Sequence, residues 1–165
     1  MEGTGNLISS LPFQGYETAV QDVWLDVNDH MNARFYGDVI YAAHALLTER
    51  IGLGDDYVAR TGNGKMVVES HMMYEREVRA GAQLGVRSWL LNVDDKRLHF
   101  AHELLNLSEG VRAAFCEQMD LHVDLDARRV APMPGAVREH LQALAGTVSR
   151  DAVARLPLGK AVRQL

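Results

Sequence analysis

One stretch constrains this chain more than any other: residues 33–51, which the spacing of apolar side chains predicts to be a single helix. Phe35, Val39, Ala42/Ala43 and Leu46, together with Ile40, Leu47 and Ile51, recur every three or four positions and form a wide apolar stripe. Only a narrow side is polar: Arg34, Asp38 and His44, with Tyr41 and Thr48. Asn32, a strong N-cap type, precedes the run, and Gly52 and Gly54 close it. A helix apolar over most of its circumference has to be wrapped by something else in the chain.

Strand patterns supply the wrapping. Tyr16, Thr18, Val20, Val23 and Leu25 suggest a first strand before the helix. After a short second helix near residues 55–60, four more strands are predicted at about 66–78, 84–93, 96–107 and 111–125. The last alternates most cleanly, with Val111, Ala113, Phe115, Met119, Leu121, Val123 and Leu125 apolar. Arg112, Gln118, Asp120, His122 and Asp124 are polar between them, which predicts a half-buried strand with one wet face. Short links favour a meander. Beyond Pro132 and Pro134, an amphipathic helix is expected at about 135–149, with a loosely held end. The fold class is therefore α+β: an antiparallel sheet curled around one long helix, in a single domain over 1–165 with its core at about 14–130. The open sheet edges are expected to pair in a homodimer or homotetramer.

Several function classes drop out. The 165 residues carry 17 Lys+Arg against 22 Asp+Glu, a formal net charge of −5, and the basic residues are scattered, which argues against nucleic acid or an anionic membrane as partner. No apolar stretch approaches the roughly 20 residues of a spanning helix. The first residues, with Glu2 among them, do not resemble a secretion signal, and the lone Cys116 offers no intramolecular disulfide. A cytoplasmic protein is expected.

Chemistry concentrates just before the long helix, in Trp24-Leu25-Asp26-Val27-Asn28-Asp29-His30-Met31-Asn32-Ala33-Arg34-Phe35-Tyr36. A carboxylate lies a few residues ahead of a helix start whose first amides are unpaired and whose dipole end is positive. Such amides can hold a carbonyl oxygen that turns negative during reaction, while the carboxylate activates water or attacks directly. The same residues can also do no more than build a turn and cap the helix.

The pattern resembles the signature of the hotdog-fold acyl-CoA thioesterases of the 4-hydroxybenzoyl-CoA thioesterase type, Asp-x-x-(Gly)-His-(Val/Met)-Asn followed by an aromatic-rich helix. The likeness runs over about 16–129. Its later pieces, residues 66–81 and Lys96-Arg97-Leu98-His99-Phe100, are most similar to the branch associated with carnitine breakdown and betainyl-CoA. The resemblance implies a thioester hydrolase in which Asp26 is the catalytic carboxylate and the amide of Ala33 polarises the carbonyl. His30 and Asn32 would shape the loop and cap the helix. It implies no metal or cofactor, CoA being part of the substrate. One departure stands out: Asp29 occupies the place of the motif's Gly, which matters if that position needs a positive φ.

Other candidates each have a bland reading beside the functional one. Glu117 and Glu69 either find a structural partner, His102 for Glu117, or line a pocket for a cationic acyl group. Asn28 would stand beside such a pocket, with Trp24, Tyr36 and Tyr74 as its aromatic walls. Lys96 and Arg97, like Arg128 and Arg129, are solvated surface cations or CoA-phosphate contacts. Cys116 is expected on the polar side of its strand, and no pair among the histidines has metal-ligand spacing. Two rival functions are carried: a hotdog hydratase, whose Asp-x-Asn-Pro-x-His pattern Asp29 and His30 fit poorly, and a non-catalytic acyl-CoA binding module.

Overall fold

The computed structural model describes residues 7–159. The elements in chain order are β1 (Phe13–Ala19), α1 (Ala33–Arg50), α2 (Asp55–Thr61), β2 (Asn63–Tyr74), β3 (Gln83–Val93), β4 (Arg97–Asn106), β5 (Val111–Asp124), β6 (Arg129–Val130), α3 (Gly135–Ala145) and α4 (Arg150–Ala154). One antiparallel sheet runs in the order β1-β3-β4-β5-β2, with β6 against β5, and curls about α1. The long helix keeps its expected start, but the first strand ends early. Val23 belongs to a 3-10 turn, Asp22–Trp24, and Leu25 to a lone bridge with Met31.

A simple meander is not what forms. β3, β4 and β5 follow one another, but β2 pairs with β5 at the far edge, so the chain must travel from one side of the sheet to the other between β2 and β3. Residues 75–82 make that crossing at the N-terminal end of α1. They are tied there by Met31 N–H to Val78 O (2.7 Å), Gly81 N–H to Val20 O (3.0 Å) and the Tyr36 hydroxyl to Arg76 O (2.9 Å). Wrapping a helix separates β2 from β3 in space, a non-local requirement that short links do not reveal.

The wet face expected on β5 is also absent. Residues paired across neighbouring strands share a face, and Cys116, Gln118 and Asp120 lie opposite His102, Phe100 and Leu98 on the side that meets α1. The supposedly polar side therefore points inward, and Cys116 is buried, with burial pushing its thiol up to about 12. The other side carries Phe115, Glu117 and Met119 and is covered in part by the C-terminal segment. There α3 packs on β3, and Leu141, Leu144 and Leu156 join the core of Trp89, Ala101 and Phe115. The expected C-terminal helix stops at Ala145 and a second one, α4, follows it. Far from loose, the chain at Gly159 donates its amide to Glu117 Oε2 at 2.8 Å; residues 160–165 lie outside the described part.

Inward polar groups need partners, and α1, β2 and β5 supply most of them, leaving His44 Nδ1 and His102 Nε2 without one. His44 Nε2 meets Asp120 Oδ2 at 3.0 Å, Lys65 Nζ reaches that same carboxylate oxygen at 2.8 Å, and Gln118 donates to Asp120 Oδ1 at 2.8 Å. His44 and Thr48, placed by the sequence pattern on the polar side of α1, are buried; the open stripe is Arg34, Asp38, Tyr41, Ala45 and Glu49. Burial alone would raise the Asp120 carboxyl, but the hydrogen bond with His44 and the charge and bond of Lys65 outweigh it and hold it at about 2. Burial pushes the imidazoles of His44 and His102 below their ordinary 6.5, so both are neutral in the folded protein.

All three groups have folded pKa values below their unfolded ones, so each contributes stability that disappears as pH falls. The histidine contributions fade below about pH 6.5, and that of Asp120, about 2 kcal/mol, between about pH 4 and pH 2. Urea unfolding should accordingly give a lower stability at about pH 5 than at about pH 7, and a further loss below about pH 4. A stability that rises on acidification would contradict this account.

Candidate active site

The loop before α1 is closed by its own backbone. Leu25 bridges Met31, the Asp26 amide donates to His30 O at 2.9 Å, and the Asp29 amide donates to Asp26 O at 3.1 Å. Asp26 folds its carboxylate back onto the turn, Oδ1 accepting the Asn28 amide at 2.8 Å. Asp29 sits at φ 60, so the place where the motif has Gly does require the left-handed region, and an aspartate fills it. Its short side chain is among those that tolerate this best.

Asn32 caps the helix, its Oδ1 accepting the Arg34 amide at 3.0 Å while its carbonyl accepts the Phe35 amide at 2.9 Å. That leaves the Ala33 amide without a hydrogen-bond partner among the described residues. Asp26 and Ala33 line one cleft of about 340 Å³, together with Met31, Tyr36, Tyr74, Glu75, Arg76 and Glu77. Asp26 and the helix-start residue Ala33, at the positive end of α1, thus border the same open space.

Aromatic rings form one corner of the cleft: Tyr36 and Tyr74 meet edge to face, with centroids 5.4 Å apart and planes at 80°. Burial raises the Tyr36 hydroxyl, which stays protonated and donates to Arg76 O. His30 Nε2 lies 3.2 Å from Glu77 Oε2, which ties the loop to the β2–β3 crossing.

Other sequence candidates fall elsewhere. Trp24 stacks on Phe35 at 5.4 Å and does not line the cleft, and the exposed Asn28 contributes a backbone amide. Glu117 is fully buried, but its partner is His99 Nε2 at 2.8 Å, not His102; His102 is on the opposite face, bonded to Ser88. Glu69 pairs in register with Met119, on that same side away from α1. Lys96 lies in the β3–β4 turn and Arg97 opens β4, where its Nε donates to Asp94 at 2.6 Å. Arg128 and Arg129 border a separate apolar hollow of about 370 Å³, with Met66, Val68, Leu125 and Val130.

Sequence reasoning missed Met31, Glu75, Arg76 and Glu77 as cleft residues. The charged run 75–77 at the end of β2 was visible, but only the crossing past α1 brings it to the loop.

The chain is similar to known proteins over most of its length. Residues 20–141 match the family described as the thioesterase-like superfamily. A betainyl-CoA thioesterase of Pseudomonas aeruginosa is 40% identical over 130 residues, covering 79% of this chain and 82% of that protein. An L-carnitine dehydrogenase/betainyl-CoA thioesterase of Agrobacterium fabrum is 39% identical over 85% of this chain, which spans only 28% of that longer protein. Among solved structures, a Staphylococcus aureus protein in complex with CoA superposes with a TM-score of 0.77 at 20% identity, over 87% of this chain and 89% of that one.

Position 29 gives a direct check on the loop. Asp29→Gly should leave stability within about 1 kcal/mol of the parent, whereas Asp29→Val, β-branched in the left-handed region, should cost about 1–2 kcal/mol. Denaturant unfolding of the two variants measures the difference.

Proposed function

The chain belongs to the thioesterase-like superfamily and is an acyl-CoA thioesterase with a hotdog fold; from that premise we propose that its substrate is betainyl-CoA and that Asp26 and Ala33 carry the reaction. The observation that supports the assignment of residues is the shared cleft: Asp26 and Ala33, whose amide has no hydrogen-bond partner among the described residues, both line it.

In this reading the thioester carbonyl oxygen accepts the Ala33 N–H. Asp26 Oδ1 is engaged by the Asn28 amide, which leaves Oδ2 to work. As a general base it takes a proton from water, whose oxygen attacks the carbonyl carbon; as a nucleophile it attacks that carbon itself, and water later opens the anhydride. In either case the oxyanion develops against the Ala33 amide and the helix dipole, and the C–S bond breaks. The CoA thiolate leaves and recovers a proton, so one water is consumed and one acid and one thiol are released. The sulfur is a good leaving group and the step needs no metal.

Helix-start amides favour the transition state over the ground state only if they are fixed in advance. The Asn32 cap, the Leu25–Met31 bridge and the His30–Glu77 contact supply that fixation. We read His30 and Asn32 as positioning residues. Trp24 and Tyr36 support the helix start through their ring contacts with Phe35 and Tyr74. No helix among the described residues is long and apolar enough to cross a membrane, and we place the reaction in the cytoplasm.

A homodimer fits the exposed rim. β2 is an edge strand, and Met66, Val67, Val68 and Tyr74 are exposed by 56%, 40%, 53% and 56%, more apolar surface than an unpartnered edge usually presents. Pairing there would also bring a second copy to the mouth of the cleft through Tyr74.

Asp26→Asn should lower kcat by about 10²–10⁴-fold while acyl-CoA still binds, measured as thiol release and by calorimetry. A parent that binds acyl-CoA but releases no thiol, with binding unchanged in Asp26→Asn, would favour the binding-module alternative. Val68→Lys, on the exposed strand edge, should shift the protein toward monomer in sedimentation; an unchanged oligomer would sink the edge-pairing reading.

A further inference from the structure

We propose that the cleft selects a positively charged acyl group, and that Glu77 with the Tyr36–Tyr74 corner does the selecting, in place of the sheet carboxylates Glu69 and Glu117. The proposal rests on the hydrolysis reading above, which fixes the carbonyl oxygen at the Ala33 amide.

Reach decides which residues can read the acyl group. In a betainyl thioester the quaternary nitrogen is two bonds from the carbonyl carbon, roughly 2.5 Å away. It must therefore lie in the cleft that holds Asp26 and Ala33, whose remaining walls are Met31, Tyr36, Tyr74, Glu75, Arg76 and Glu77. Glu117 is excluded by its face and by its bonds to His99 and Gly159, and Glu69 shares that face.

A quaternary ammonium has no N–H to donate, so it is held by aromatic faces and by diffuse negative charge. Two tyrosine rings at 80° give it two walls. Of the nearby carboxylates, Glu75 is already gripped by Arg112, whose Nε and Nη2 approach at 2.8 and 2.9 Å. Glu77 is freer: its side chain is 59% exposed and its contacts are His30 at 3.2 Å and Arg79 at 3.4 Å, both weak in solvent. Beside it, Arg76 lines the same cleft and has no ion-pair partner among the described residues. Neighbouring positions 76 and 77 thus act on a bound cation with opposite sign.

That opposition makes the test two-sided. The measured quantity is the ratio of kcat/KM for betainyl-CoA to that for 3,3-dimethylbutyryl-CoA, in which carbon replaces the charged nitrogen at nearly unchanged shape. Glu77→Gln should lower this ratio by about five-fold or more, and Arg76→Gln should raise it by a similar factor. Because Glu77 also holds His30, its loss can slow both esters, but that effect cancels in the ratio; His30→Gln should slow both and leave the ratio unmoved. Ratios that stay put in both charge variants, or shift in the same direction, would overturn the proposal while leaving thioester hydrolysis intact. A parent enzyme that releases thiol from neither ester would instead overturn the hydrolysis reading and this proposal with it.

Discussion

A sheet that closes around one helix must carry its chain past an end of that helix, and which end it chooses decides what can be built there. Here the crossing from β2 to β3 passes the N-terminal end of α1 and is pinned by the Met31 amide, the Tyr36 hydroxyl and the Val20 pairings. A loop closed by the Leu25–Met31 bridge comes to the same place from the other side. Two segments distant in sequence thus meet where the unpaired Ala33 amide and the positive dipole end are found. Without the crossing, Asp26 would stand beside an ordinary helix cap with no second wall.

The inner face of the sheet shows what enclosing that helix costs. His44, Asp120, Lys65 and Gln118 form a buried polar group where an all-apolar contact would be simpler, and they bond one another only because helix and strands are in register, with His44 Nδ1 left without a partner. Such a group adds little net stability, since desolvation offsets most of the attraction. It does penalise any slip of β5 against β2, which would strand Asp120 away from Lys65. The Tyr57 hydroxyl and His122 repeat the device under α2 at 2.8 Å.

How much of this was legible in the sequence depended on whether the signal was local. The α1 stripe, its Asn32 cap and the turn after Asp26 depend on neighbours within a few residues and could be read directly, whereas the left-handed demand at position 29 was raised only as a condition, through the Gly of the resembled motif. The partner of β2 and the cleft wall at 75–77 depend on contacts across tens of residues, and no local pattern reported them. β5 shows a subtler limit. Its alternation correctly marks a strand, but period two says only that faces differ, not which one looks inward. With the C-terminal segment over one side and α1 over the other, polarity pointed the wrong way: Gln118, Asp120 and His122 are inside because helix side chains meet them. Glu117 was rightly suspected of needing a partner, yet register selects His99 over His102.

Cys116 shows how burial bears on the bench as well as on the fold. Its sulfur is enclosed against α1 and its proton is held far above neutral pH, so the native molecule presents no reactive sulfhydryl. A colorimetric disulfide reagent added during turnover therefore counts only the CoA set free, with no background from the catalyst. The same silence ends when the sheet opens, which turns one residue into an internal reporter of the folded population.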